Sequence, residues 1–152
     1  MKLYSVFLFY KYNSSESENE KFKILISAKR LHRQNIFKRK FTSYLMKKVS
    51  KTLMKEAEKA YPESIKVHRY IAHVYLRDDN LGAILFSDES YDEEAAYLVC
   101  YKCLYDYSKA VSNNNWKILN ENESNNFLQN ILVEFQVIIY VCVFVILEPC
   151  FN

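Results

Sequence analysis

The pair Cys100-x-x-Cys103, three histidines (His32, His68 and His73) and a single glycine, Gly82, are the residues from which this chain would have to build chemistry. A redox C-x-x-C works at a helix N-terminus, where the dipole lowers the thiol pKa. Here the pair falls three turns into a stretch with helical apolar spacing, on its buried side, where low polarity raises that pKa. A zinc site needs two more ligands at suitable spacing, and no second C-x-x-C exists. Core cysteines are the expectation. His73 alternates within an apolar strand and is expected to be a hydrogen-bonded core or subsurface residue. No nucleophile–base set follows from the spacing. One glycine makes neither a P-loop nor a G-x-G-x-x-G turn, so nucleotide chemistry is not expected. The sequence reads as a binding protein without cofactor or metal, and not as an enzyme.

The elements that would position such a surface are well marked. At 152 residues, 50% hydrophobic and 16% aromatic, one domain with a proper core is expected. The net charge of +3 hides a segregation. Lys29 to Lys59 holds eleven basic residues against Glu56 and Glu58; Asp78 to Asp106 holds eight acids against Lys102. One side should be cationic and the other anionic, which suits an anionic lipid surface or nucleic acid, or simply gives a solvated helix face. Four cysteines without a secretion signal point to the cytosol. The opening "MKLYSVFLFYK" is too short and too tyrosine-rich for a signal peptide and reads as a strand.

That strand, Leu3 to Tyr10, is apolar on both alternations, with Leu3, Phe7 and Phe9 expected on one face and Tyr4, Val6, Leu8 and Tyr10 on the other. A second strand, Lys21–Ser27, should pair with it across the polar loop "YNSSESENE". From about Asn35 to Ala60, Phe41, Leu45, Val49, Leu53 and Ala57 recur at every fourth position, predicting an amphipathic helix stopped by Pro62. Its outer, basic face would carry Lys40, Lys47, Lys48, Lys51 and Lys55. Strands are expected at Ser64–Val67, Tyr70–Arg77 and Leu81–Ser87, with "RDDNLG" as the last turn and Gly82 among its turn-forming residues. A second helix follows, capped by Ser90, Tyr91 or Asp92, with a buried stripe of Ala96, Val99/Cys100, Cys103/Leu104, Tyr107 and Val111. A short third helix is expected from about Phe127 to Gln136. The order β-β-α-β-β-β-α-α implies an α+β domain: a five-stranded antiparallel sheet with one helix on one face and two on the other.

The opening Met1–Ser5, "IFKR" (Ile36–Arg39), "YIAHVYLRDDNLGAILFSD" (Tyr70–Asp88) and "LYDYSKAV" (Leu104–Val111) resemble the longin domain of R-SNAREs, most closely the lipid-anchored synaptobrevin-homologue type. The likeness runs from Met1 to about Gln136. It implies a longin (profilin-like) fold and a regulatory role in vesicle-mediated transport and membrane fusion on ER, Golgi and vacuolar routes. It also implies a cytoplasmic location on the cytosolic face of those membranes, with SNARE or tethering proteins as partners. In that family type the domain folds back on its SNARE helix and hides the lipid in a groove between the first helix and the third strand. The positions here fall near Leu45, Val49, Leu53, Ile65 and Val67, each of which also suits plain core packing. Lys48 stands where family members often carry an aromatic residue.

Residues 137–152 depart from the family. They hold no heptads and no prenylation box, and Val137–Leu147 is about 16 Å long as a helix, against a bilayer core of about 30 Å. An added strand or sticky segment is expected in place of a transmembrane span. The domain is thus expected over 1–136, in a chain truncated or alternatively ended relative to the family; a valine codon begins with GT, as introns do, so an unspliced product fits the break. The chief alternative is a stand-alone longin-like subunit of a tethering or coat complex. A third is a basic nucleic-acid-binding module with steeply salt-dependent binding, but no nucleic-acid partner is expected, because no RNA-recognition, KH, OB or helix-turn-helix signature accompanies the basic helix.

Overall fold

A computed structural model describes residues 2–13, 21–31, 33–110 and 130. The expected third helix (Asn130 excepted), the tail 137–152, Val111 and His32 lie outside the described residues. The chain runs β1 (Leu3–Lys11), β2 (Phe22–Lys29), α1 (Ile36–Glu56), β3 (Glu63–Val67), β4 (Tyr70–Leu76), β5 (Leu81–Ser87) and α2 (Glu93–Ala110). The strands form one sheet in the order β2-β1-β5-β4-β3, with every neighbouring pair antiparallel. The strands β1, β4 and β5, apolar on both alternations, occupy the middle, because helices cover both faces. The first helix crosses from one edge strand, β2, to the other, β3.

Two cores result. Under α2, Val6, Leu8, Tyr10, Leu81, Ala83 and Leu85 of the sheet meet Ala96, Val99, Cys100, Cys103, Leu104 and Tyr107. Under α1, Phe7, Phe9, Val74, Ile84 and Phe86 meet Met46, Leu53, Met54 and Ala57. The stripe expected for α2 is therefore the buried one as far as Tyr107. Asp92 is its cap, accepting from the Ala95 N–H at 2.8 Å.

Four local expectations are corrected. Leu3 does not share a face with Phe7 and Phe9. A register shift between Leu3 and Ser5 sets two β1 residues against one of β5, so Leu3 joins the α2 core and Tyr4 the α1 core. Gly82 is not a turn residue. It lies in β5 opposite Phe9, where a Cβ would collide with the Phe9 ring, while Asn80 takes the left-handed turn conformation (φ 69°). Pro62 does not end α1. The helix stops at Glu56, where Lys11 Nζ, reaching from β1, donates to the carbonyls of Lys55 (2.9 Å) and Ala57 (2.6 Å). A cation on the last carbonyls satisfies the helix end and its dipole.

The fourth correction concerns the buried face of α1. It is Thr42, Met46, Ser50, Leu53, Met54 and then Ala57, while Phe41 is 66% exposed. A strict four-residue repeat drifts about 40° per step around a helix of 3.6 residues per turn, so it cannot face the sheet along its whole length. Thr42 and Ser50 are small enough to let the backbone approach, and the two long methionines fill the space between. Asn35 caps the helix start, accepting from the Lys38 N–H at 2.8 Å.

Candidate functional site

The α1–β3 region is built by an asymmetry. The helix α1 rests on β1, β2 and β5, and α2 rests on β5 and β4, so the β3 margin beneath α1 is the less covered part of that face. Ile65 and Val67 point into it from β3 and, with Val49 of α1, lie partly buried against the cluster that encloses Leu53. Four of the five positions expected at a groove thus lie in or against one apolar cluster. Leu45 is partly buried on the flank of the helix and does not join that cluster. The five lysines expected on the outer face of α1, Lys40, Lys47, Lys48, Lys51 and Lys55, are all exposed.

A polar knot holds one end of this region. The Tyr70 hydroxyl accepts from Arg69 Nε (3.0 Å) and Nη2 (2.7 Å) and from Gln34 Nε2 (3.3 Å), and its ring meets Tyr4 edge-on at 4.9 Å. Burial alone would raise the pKa of Tyr70. Hydrogen bonds from Thr42, Arg69 and Gln34, with the Arg69 charge, outweigh it and bring the pKa below the ordinary tyrosine value. The start of α1 is in this way tied to the start of β4.

The chemistry-bearing residues lie elsewhere, on the α2 side. Burial pushes the Cys103 thiol up to about 12 and raises the Cys100 thiol well above the ordinary range. Both are buried, neutral and unreactive at physiological pH. His73 is 2% exposed and held on both nitrogens, by Ser64 Oγ at Nδ1 and Ser87 Oγ at Nε2, each at 2.8 Å. Ser87 donates to the Asp88 carbonyl, so Nε2–H donates to Ser87 and Nδ1 accepts from Ser64. Desolvation lowers the His73 pKa, with the Glu93 charge opposing it in part. Among the described residues, no group of His, Cys, Asp or Glu is arranged to hold a metal.

The residues that carry the family resemblance turn out to be joints. Arg77 of the β4–β5 turn chelates Asp79 and donates to Ser108 Oγ (2.9 Å) and the Leu104 carbonyl (3.4 Å), locking the hairpin to α2. Sequence reasoning missed the exposed aromatic row of α1 (Phe37, Phe41 and Tyr44) and the approach of Lys29 to Ser43, which only tertiary structure brings about.

Curated proteins match the chain at this level. The "Synaptobrevin homolog YKT6" of Eremothecium gossypii is 30% identical over 117 residues, covering 77% of the chain and 56% of that protein. The chain is a relative of the Ykt6 synaptobrevin homologues. The Debaryomyces hansenii protein of the same name is 28% identical over 115 residues (74% of the chain, 58% of the relative). That of Yarrowia lipolytica is 29% identical over 83 residues (55% and 42%). The chain spans about half the length of these relatives. No family model matches it. The five-stranded antiparallel sheet, with α1 on one face and α2 on the other, is consistent with a longin fold. Among the described residues no helix is long and apolar enough to cross a membrane.

Proposed function

We propose that this chain is the regulatory longin domain of a vesicle-trafficking R-SNARE. The domain runs over residues 1–136 and works at the cytosolic face of ER, Golgi or vacuolar membranes by binding protein partners, without catalysis. The observation that carries this reading is the likeness to the Ykt6 synaptobrevin homologues. The geometry supports it: Val49 of α1 and Ile65 and Val67 of the edge strand β3 are only partly buried against the cluster that holds Leu53, and an amphipathic helix or extended segment can lay apolar anchors on such a surface.

The test is a titration of the isotope-labelled chain with a peptide spanning a Ykt6-type SNARE helix, followed by NMR. The expected result is shifted resonances at Val49, Leu53, Ile65 and Val67, lost in Ile65→Asp. Ile65 is only partly buried at the sheet margin, so that variant should retain the fold. No shift on any SNARE helix, with capture of purified tether or coat subunits instead, would move the chain to the stand-alone reading.

A further inference from the structure

A second feature lies at the opposite end of α1 from its lysine-capped terminus. Where β2 runs out beside the N-terminal half of α1, a cavity of about 550 Å³ opens, lined by Lys29, Arg39, Lys40, Ser43, Tyr44 and Lys47. Among the described residues, its lining includes no acidic residue. Lys29 is the inner cation: it is partly buried, donates to Ser43 Oγ at 2.7 Å and lies 5.8 Å from the Phe7 ring centre. Burial, and then the nearby Lys47 charge, pull its ammonium below the ordinary lysine pKa. An anion in the cavity would relieve the repulsion and replace the lost hydration.

Tyr44 of this lining also belongs to an exposed aromatic row on α1. Phe37, Phe41 and Tyr44 are 86%, 66% and 64% exposed, and their spacing of four and three residues sets them on one face of α1. Folded soluble surfaces seldom keep three large aromatic side chains together in water without a use. Cations interleaved with aromatic side chains on a helix are the pattern of a surface that sits at a lipid headgroup boundary, rings inserted and ammonium groups at the phosphates. Charge also orients such docking: Asp92, Glu93 and Glu94, at the start of α2, stand exposed on the other face of the sheet, where an anionic bilayer repels them.

We propose that this cleft binds the phosphate-bearing headgroup of an anionic membrane lipid, with Phe37, Phe41 and Tyr44 seated in the bilayer interface around it. A cavity of this volume is of the size that holds a small polar ligand, and its four cations and Ser43 hydroxyl suit a phosphate monoester. The site is separate from the α1–β3 margin, so it stands or falls independently of the SNARE reading.

The experiment is vesicle flotation with the full chain. Phosphatidylcholine vesicles carrying a phosphatidylinositol monophosphate are compared with vesicles matched in charge by phosphatidylserine. The chain should float with the former in preference. Lys40→Ala and Lys47→Ala should each weaken partitioning about fivefold, while Lys51→Ala/Lys55→Ala, on the same helix beyond the cavity, should leave the preference intact. Phe37→Ser/Phe41→Ser should abolish flotation yet retain binding of the soluble inositol phosphate headgroup. All substituted residues are exposed, and an unchanged melting temperature checks each fold. Equal flotation on both vesicle types, or an equal loss in the Lys51/Lys55 variant, would reduce the cleft to diffuse charge and overturn the proposal. Headgroup binding without any preference for vesicles would overturn its membrane part.

Discussion

The two helices cover the same sheet in different ways. Under α2, residues of nearly every size interlock, from Ala96 to Tyr107, and polar bonds cross the interface at both ends: Ser64 to Tyr97 at 2.7 Å and Arg77 to Ser108 at 2.9 Å. Under α1, two methionines and a leucine carry the apolar contact, small hydroxyl residues face the sheet, and large aromatic side chains turn outward. The comparison teaches a division of labour. The second helix fixes the fold, and the first presents surfaces, one apolar beside β3 and one cationic beside β2.

The largest expected effect that would test this division is Leu104→Ala, in the fully buried α2 core, which should cost about 2–5 kcal/mol in denaturant unfolding. Arg77→Ala should cost about 1.5 kcal/mol through lost charged hydrogen bonds, and hydrogen exchange should speed up around Leu104 and Ser108 while α1 stays protected. Acidification should act on the same side. Because the folded His73 pKa lies below the unfolded value, the unfolded chain binds more protons in that window. Stability is full above the unfolded histidine pKa of about 6.5 and falls as the pH drops through it towards the folded value. His73→Gln should flatten that part of the pH–stability curve.

On the α1 side the changes should be small or of opposite sign. The Ser50 hydroxyl is fully buried without a hydrogen-bond partner among the described residues, so Ser50→Ala should stabilise the fold by about 1 kcal/mol. Phe41→Ser should move stability by no more than about 0.5 kcal/mol, as befits a solvent-facing position. A large loss in that variant would mean that the aromatic row supports the fold, and the division between the helices would fail.

Much of the architecture was legible because its signals were dense. Two-sided apolar strands, the α2 stripe as far as Tyr107 and the order of the described elements all followed from periodicity. The errors share one cause: they depended on which of several local options the tertiary packing selected. Two four-residue series run side by side in α1, one through Phe41 and Leu45 and one through Thr42 and Met46, and only the sheet decides between them. The β1 irregularity that sends Leu3 and Tyr4 to unexpected faces leaves no mark in side-chain type. Gly82 was visible as special, but its partner, the Phe9 ring, is far away in sequence. The groove positions came through family likeness, whereas the Lys29–Ser43 approach joins a strand to a helix and has no local signature at all.

Thioethers beneath α1 make its seat compliant. Unbranched and polarisable, Met46 and Met54 change rotamer at low cost, and a weak bond from Ser5 Oγ at 3.2 Å tethers the first of them. The helix can therefore roll by small amounts over a rigid aromatic floor. Such a seat would let the margin beside β3 widen for a bound segment, so that a ligand pressing on one side of the helix would be felt along the other.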